Sequence, residues 1–273
     1  MSDLVSILIP VYNEPIEYIR QAVDSIRYQT YKNLELVIII DNPDHHEAIE
    51  YLTSISNNDA RVRVYTNEQN LGLPKTLNKA IDLSHGSLIA RMDADDWSTE
   101  KRIESQVEYI NNFGVDLVAS NVVDMDESGN LLGTGTKYPI SSRGINNYLK
   151  YGDCLPHPTW LGKRRIFENL AGYREIEACE DYDFVVRGAI LRYSYGLIVE
   201  PLVRYRINMK GISQTKKVKQ IAASKIIQKN YRLGCITPID DLQSVALNSK
   251  KSKASFDNLK NKIMRKWCLI KYS

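Results

Sequence analysis

The chain has 273 residues, 43% hydrophobic and 25% charged, with a net charge of only +3. That size suits one large domain with a full core, alone or with a smaller appended unit, and the composition is that of an ordinary soluble protein. Four widely separated cysteines, Cys154, Cys179, Cys235 and Cys268, argue against a disulfide framework and against structural zinc, and fit a reducing compartment.

The charge is unevenly placed. Residues 210–273 carry 15 Lys and Arg against three acids, whereas residues 1–209 hold 21 basic and 30 acidic residues. An acidic body implies the handling of cations, and a basic tail implies an anionic surface as its partner. The first residues enter an apolar run without a signal-peptide pattern. No apolar stretch approaches the roughly 18 residues of a membrane span. A cytoplasmic protein, with peripheral membrane contact at most, is the expectation.

Residues 4–10 are nearly all apolar, as in a strand buried on both faces of a parallel sheet. A polar turn follows, and Pro15 suits the first position of a helix whose inward residues are Ile16, Ile19, Val23 and Ile26. Residues 34–40 are a second strand, ending at Asp41-Asn42-Pro43-Asp44, and a helix follows with Ala48, Ile49, Leu52 and Ile55 on one face. A third strand spans 61–66 and a third helix 72–83. Residues 87–92 form a fourth strand, running into Asp93-Ala94-Asp95-Asp96, with a helix expected from about Ser98 that turns Ile103, Val107 and Ile110 inward.

Strand–helix alternation over residues 1–113 predicts a parallel sheet wrapped by helices, with ligands beyond the carboxyl ends of its strands. Four polar loops share that rim: 10–14, 41–44, 67–72 and 93–96. Buried acids need a neutralising partner, and Mg²⁺ or Mn²⁺ held by one or two of Asp93, Asp95 and Asp96 would supply it. The competing reading is that Asp95 and Asp96 only cap the next helix; Asn13 and Asp44 have the same alternative.

Beyond residue 114 the pattern changes. Strands are expected at 115–123 and to Leu132, helices at 141–150, 163–171, 180–192 and 216–233, and an extended segment at 195–207. In the tail, Phe256, Leu259, Ile263, Trp267 and Ile270 recur at spacings of 3, 4, 4 and 3 among lysines and arginines. That is a basic amphipathic helix, suited to an anionic membrane surface or to packing on the body or a second subunit. Oligomeric state is not legible. The body shows no basic–aromatic interleaving, so no nucleic-acid partner is expected.

With these segments in order, the chain resembles the family 2 glycosyltransferases of the GT-A fold over about residues 4–213. The resemblance rests on Pro10-Val11-Tyr12-Asn13-Glu14, Asp41, Asn70-Leu71-Gly72 with Asn78, Asp93-Ala94-Asp95-Asp96, His157-Pro158-Thr159, Gly172-Tyr173, Glu180-Asp181-Tyr182-Asp183 and Tyr205-Arg206-Ile207. It implies an α/β GT-A domain over 1–213, with a nucleotide-binding half at 1–113, an acceptor half at 114–213 and a helical basic extension at 214–273. It also implies inverting transfer from a nucleotide-sugar, UDP favoured, to a saccharide or polyprenyl-linked saccharide in bacterial polysaccharide synthesis.

In that scheme Pro10, Val11, Tyr12, Asn13, Glu14, Asp41, Asn70, Gly72, Lys75, Asn78, Arg91, Asp93 and Ala94 form the nucleotide side. Asp93, Asp95 and Asp96 are the metal candidates, with a divalent Mn or Mg ion as cofactor. Asp181 matches the family's base, with Glu180 as runner-up and Asp183 bracing the site. His157, Thr159 and Trp160 line the acceptor side, though Trp160 equally suits the core. Departures are Asn42, where relatives often carry an acid, and Asn208, where they often carry a His. Rival readings are a metal-dependent nucleotidyltransferase, whose glycine- and lysine-rich phosphate loop is missing from residues 10–14, and a non-catalytic nucleotide-sugar-binding module.

Overall fold

The computed structural model describes residues 2–134, 138–176, 179–207 and 216–247. The first half alternates strand and helix: β1 (Val5–Val11), α1 (Ile16–Arg27), β2 (Leu34–Ile40), α2 (His46–Asn58), β3 (Val62–Thr66), α3 (Leu73–Leu83) and β4 (Leu88–Arg91). Then come β5 (Trp97–Ser98), α4 (Arg102–Phe113), β6 (Leu117–Met125), β7 (Leu131–Thr134), α5 (Ser142–Tyr148), a 3₁₀ turn (His157–Thr159), β8 (Leu161–Lys163), α6 (Arg164–Asn169), α7 (Glu180–Ile190), β9 (Tyr195–Arg206), α8 (Lys217–Arg232) and α9 (Ile239–Leu247).

One mixed sheet runs β3-β2-β1-β4-β8-β6-β9-β5, with β7 on β6. Its first four strands are parallel, as expected. Alternate residues of these strands serve opposite faces. Ile7, Ile9, Leu36, Ile38 and Ile40 pack with α1, α2 and α4 in one core, while Leu8, Val37 and Ile39 pack with α3 and α5–α9 in the other. Burial on both faces is why β1 and β2 read as unbroken apolar runs.

Two short strands escaped the sequence. No helix begins at Ser98; β5 pairs with β9, Trp97 opposite Arg204, and the Arg204 guanidinium lies 4.0 Å from the Trp97 ring centroid. The helix starts only at Arg102, behind Lys101, so neither Asp95 nor Asp96 caps it. Strand β8 lies in a stretch expected to be irregular and then helical. It runs antiparallel between β4 and β6, and Arg91 N donates to Trp160 O at 3.0 Å. Because β8 reverses β4, the turn that precedes it lands beside the end of β4.

Helices α8 and α9 are not a separate lobe. Ala223, Ile227 and Leu242 belong to the core beneath α7, and Tyr231 Oη donates to Asn146 O at 3.1 Å. The amphipathic stripe at 256–270 and Asn208 lie outside the described residues. No described helix is long and apolar enough to cross a membrane.

Candidate active site

Strand order reverses at β1, which pairs with β2 on one side and β4 on the other. At such a point the loops after adjacent strands diverge and leave a crevice. The loop after β1 is tied to the loop after β2: Asn42 Nδ2 donates to Asn13 Oδ1 at 2.6 Å, and His45 Nε2 bonds Glu14 O at 3.0 Å. The Glu14 carboxylate folds back to accept from Tyr12 N at 2.6 Å, while the Tyr12 side chain stays 44% exposed. Pro10 and Val11 end the strand beneath them. Neither Asn13 nor Asp44 caps a helix; Pro15 and His45 hold the cap positions without side-chain bonds.

Asp41, expected on the nucleotide side, is a buried clasp. Its Oδ1 accepts from Leu71 N (2.8 Å) and Asn67 Nδ2 (2.7 Å), and its Oδ2 from Gly72 N (2.9 Å). Gly72 N also reaches Asn70 Oδ1 at 2.9 Å, and Gly72 adopts φ +82°, a conformation cheap only for glycine. Asn78 is likewise committed elsewhere. Its amide accepts from Tyr173 N and donates to Tyr173 O, both at 2.8 Å, which ties α3 to the segment between α6 and α7. Gly172 (φ +66°) gives Asn78 room, because a Cβ there would collide with the amide. Lys75 forms an exposed pair with Glu175 at 3.1 Å.

The acid rim follows β4. Asp93 is gripped through both oxygens by Arg91, with Nη1 to Oδ2 at 2.7 Å and Nη2 to Oδ1. Buried Ala94 leaves Asp93 and Asp95 half-exposed on either side of it. Asp96 is fully buried, with Oδ1 accepting from Arg206 N at 2.9 Å and Oδ2 unpartnered. Arg206 Nε binds Asp95 O at 2.8 Å and its guanidinium packs 3.9 Å from the Tyr18 ring centroid, so it shapes the loop without neutralising a carboxylate. Burial and repulsion from Asp93 and Glu14 raise the Asp95 pKa; burial with Asp93 and Asp95 raises that of Asp96 well above the usual carboxylate range; burial also raises that of Glu14. These carboxyls are raised by burial first and by mutual repulsion second, and a bound cation would oppose both.

Across from the rim, α7 begins with Glu180 and Asp181. Glu180 is 7% exposed, and burial plus the Asp181 charge raise its pKa. Asp181 is half-buried, with Oδ1 accepting from Tyr182 N at 2.7 Å; burial raises its pKa too. Both feel the charges of Arg91 and Asp93, so the pair and the rim share one electrostatic site. Asp183 braces from behind: its two oxygens take Arg174 and Arg187, while Arg187 also donates to Leu170 O and Gly172 O.

Two acceptor-side expectations need correction. Trp160 is fully buried, its Nε1 donating to Leu155 O at 2.9 Å, and Thr159 is fully buried between Ser120 and Pro156. Neither presents a surface to a sugar; they lock the turn to β6. His157, 7% exposed, bonds Tyr173 Oη at 2.9 Å, and burial with the Arg91 charge holds its imidazole neutral. Arg102 went unseen in the sequence. It is fully buried beneath the rim, donates to Arg91 O at 2.6 Å, and leaves Nη1 unpartnered. Its only signal was its place beside Gln106 one turn on, which resembles an ordinary exposed helix pair.

No three His, Cys, Asp or Glu among the described residues stand ready as a complete metal cage. A hard divalent cation needs fewer, since Mg²⁺ and its kin take one or two carboxylates and fill the shell with water and phosphate oxygens. Oxygen donors, raised pKa values and the orphaned Asp96 Oδ2 fit such an ion.

A parallel sheet with an acid rim at its switch point, faced by a second carboxylate pair, is the architecture of a GT-A-type sugar transferase. The chain belongs to glycosyl transferase family 2, whose model matches residues 6–171. It is 34% identical over 219 residues to an uncharacterised glycosyltransferase of Methanocaldococcus jannaschii, covering 79% of this chain and 76% of that one. It is 30% identical over 238 residues to the O-antigen biosynthesis glycosyltransferase WbnJ of Escherichia coli, covering 86% and 92%. Two solved structures share the fold. S. aureus TarS in complex with UDP superposes with TM-score 0.67 at 15% identity, covering 88% of this chain and 69% of that one. The mannosyltransferase PcManGT of Pyrobaculum calidifontis, with GDP-Man and Mn²⁺, gives 0.64 at 16% identity, covering 99% and 75%. The chain is a glycosyltransferase, with polysaccharide-synthesis enzymes among its relatives.

Proposed function

We propose that this glycosyltransferase moves a sugar from a nucleoside-diphosphate sugar, UDP favoured, onto a hydroxyl of a saccharide or polyprenyl-linked saccharide, inverting the anomeric centre. The observation that carries this reading is the opposition of two acid groups. Asp93 and Asp95 end β4, Glu180 and Asp181 open α7, and one buried Arg91 lies within electrostatic reach of all four.

The loops after β1 and β2 hold the nucleotide, and Asp41 shapes the neighbouring loop whose backbone lies beside it. Asp95 is the favoured metal ligand, because its carboxylate is half-exposed and, unlike that of Asp93, is not gripped by the Arg91 guanidinium. Asp93 is the second ligand, and Asp96 braces the loop from below through Arg206 N. A bound Mn²⁺ or Mg²⁺ would supply Lewis-acid neutralisation of the departing diphosphate.

Attack on the sugar requires the acceptor hydroxyl to lose its proton on the face opposite the leaving group, and a positioned carboxylate serves that need. Asp181 is the base. It is the more exposed of the pair, whereas burial keeps Glu180 protonated to higher pH, and two carboxyls pushed apart in this way divide their roles. Displacement from that face inverts the centre. His157, held neutral against Tyr173, presents the acceptor side without adding charge. Residues 1–113 thus form the donor half and 114–213 the acceptor half. Residues 214–273 are the extension, whose helix α8 backs α7 and whose excess of basic residues suits an anionic membrane surface carrying the acceptor.

The test offers UDP- and GDP-sugars with Mn²⁺ and short saccharide or lipid-linked acceptors, and reads the products by mass spectrometry and anomeric coupling. A glycoside of inverted configuration plus free nucleoside diphosphate is expected. Pyrophosphate release would identify a nucleotidyltransferase instead, and binding without turnover would leave a nucleotide-sugar-binding module.

A further inference from the structure

Five carboxylates, Asp93, Asp95, Asp96, Glu180 and Asp181, lie within electrostatic reach of one buried guanidinium. Arg91 is 4% exposed and spends both terminal nitrogens on Asp93, while its Nε has no partner. Its charge favours the ionised forms of Asp95, Asp96, Glu180 and Asp181 as well. Arg102 feels the Asp96 charge from beneath, but no cation other than Arg91 forms a side-chain ion pair with the cluster among the described residues. Arg102 donates to the Arg91 carbonyl and to Gln106, and Arg206 to the Asp95 carbonyl, so Arg91–Asp93 is the cluster's only side-chain ion pair there.

A residue built into the sheet therefore occupies Asp93, one of the two carboxylates proposed to hold a divalent cation. We propose that Arg91 is a resident counter-ion and positioning residue: it holds the acid rim in place before a cation arrives, and competes with that cation for Asp93. This rests on the divalent-cation reading above. A bare cation must take an Asp93 oxygen from a guanidinium that already neutralises it. A cation that arrives with a diphosphate brings anions for the released guanidinium, so the exchange of partners favours joint entry of metal and donor. Arg91 acts here through Asp93 and needs no contact with sugar.

The experiment titrates the full chain with Mn²⁺ alone, reading free Mn²⁺ by electron paramagnetic resonance, for wild type, Arg91→Met and Arg91→Lys. Removing the competing charge is expected to tighten Mn²⁺ binding about tenfold in Arg91→Met. A lysine keeps the charge but loses the two-pronged grip on Asp93, so Arg91→Lys should tighten it about threefold. Thermal melts should agree, with Mn²⁺ raising the Tm of Arg91→Met more than that of wild type. If Arg91→Met fails to fold, Arg91→Lys decides alone. Equal or weaker binding in the folded variants, or no Mn²⁺ binding by any of the three proteins, overturns the proposal. Failure of wild type in the transfer assay would overturn the functional reading, whereas Mn²⁺ competition is measured without donor or acceptor and is judged separately.

Discussion

The proposed donor half and the proposed acceptor half reach one site by different means. Residues 1–113 place their polar loops through regular topology: parallel strands end together, and bonds between the neighbouring loops, such as Asn42–Asn13 and Asp41 to Leu71 and Gly72, trim the rim. Residues 114–207 form few long elements, and side chains reaching across the chain position their groups. Thr159 ties the 3₁₀ turn to Ser120, Asn78 ties α3 to Tyr173, and Asp183 sits between Arg174 and Arg187. In the first half the rim is shaped by ties between loops, while in the second half the groups that brace the site, Thr159 and Asp183, are themselves buried in the core.

The largest effect expected is on chemistry. Asp181→Asn should lower kcat by about 10²–10⁴-fold with little change in melting temperature, as fits loss of a general base. Steady-state kinetics beside a thermal melt decides this, and a loss below tenfold would move the role to Glu180. Next comes Asp183→Asn, which leaves the Arg187 guanidinium buried without its counter-charge and should cost about 3–5 kcal/mol in denaturant unfolding. Because α7 also carries Asp181, the proposed base, kcat should fall along with stability. In the donor half, Asp41→Ala frees the Leu71 and Gly72 amides and should cost about 1.5–3 kcal/mol. Its kinetic signature should be a raised KM for donor with kcat nearly kept. A matching fall in kcat would erase the contrast between the halves.

The smallest effect is on pH. Asp95, Asp96 and Glu180 have raised pKa values in the folded protein, so the native state binds more protons than the unfolded chain above about pH 4. Their contribution to stability is therefore lost as pH rises from the ordinary carboxylate range through their folded values. Asp59 and Glu35 have lowered values and act in the opposite sense at more acidic pH. Metal-free protein should lose about 1–2 °C of Tm between pH 5.5 and 8, and Asp95→Asn should flatten that slope. Activity runs the other way and falls with acid as Asp181 takes up its proton.

Much of the donor half was legible because its physics is local. Apolar runs mark doubly buried strands, 3.6-residue periods mark the helices, and acids clustered at the end of β4 mark the rim. Helix capping, the plain alternative for Asn13, Asp44, Asp95 and Asp96, is not what these residues do. The acceptor half was less legible. Nothing about Leu161–Lys163 or Trp97–Ser98 announces a strand, since two- and three-residue segments gain order only from the strands they join. Trp160 and Thr159 stand beside His157 in sequence yet point into the core, and the fully buried Arg102 reads in sequence as a surface arginine.

By itself the sequence determined the strand–helix rhythm, the loops that share a rim, and an excess of clustered acid, because periodicity and charge are properties of neighbouring residues. Tertiary structure alone decided which acids stay open and which are tied down. Asp41 and Asp183 are clasps, Asp96 is a buried brace, and Asp95 and Asp181 remain half-exposed, because whether a carboxylate is free depends on donors supplied by residues distant in the chain or by the fold's own turns.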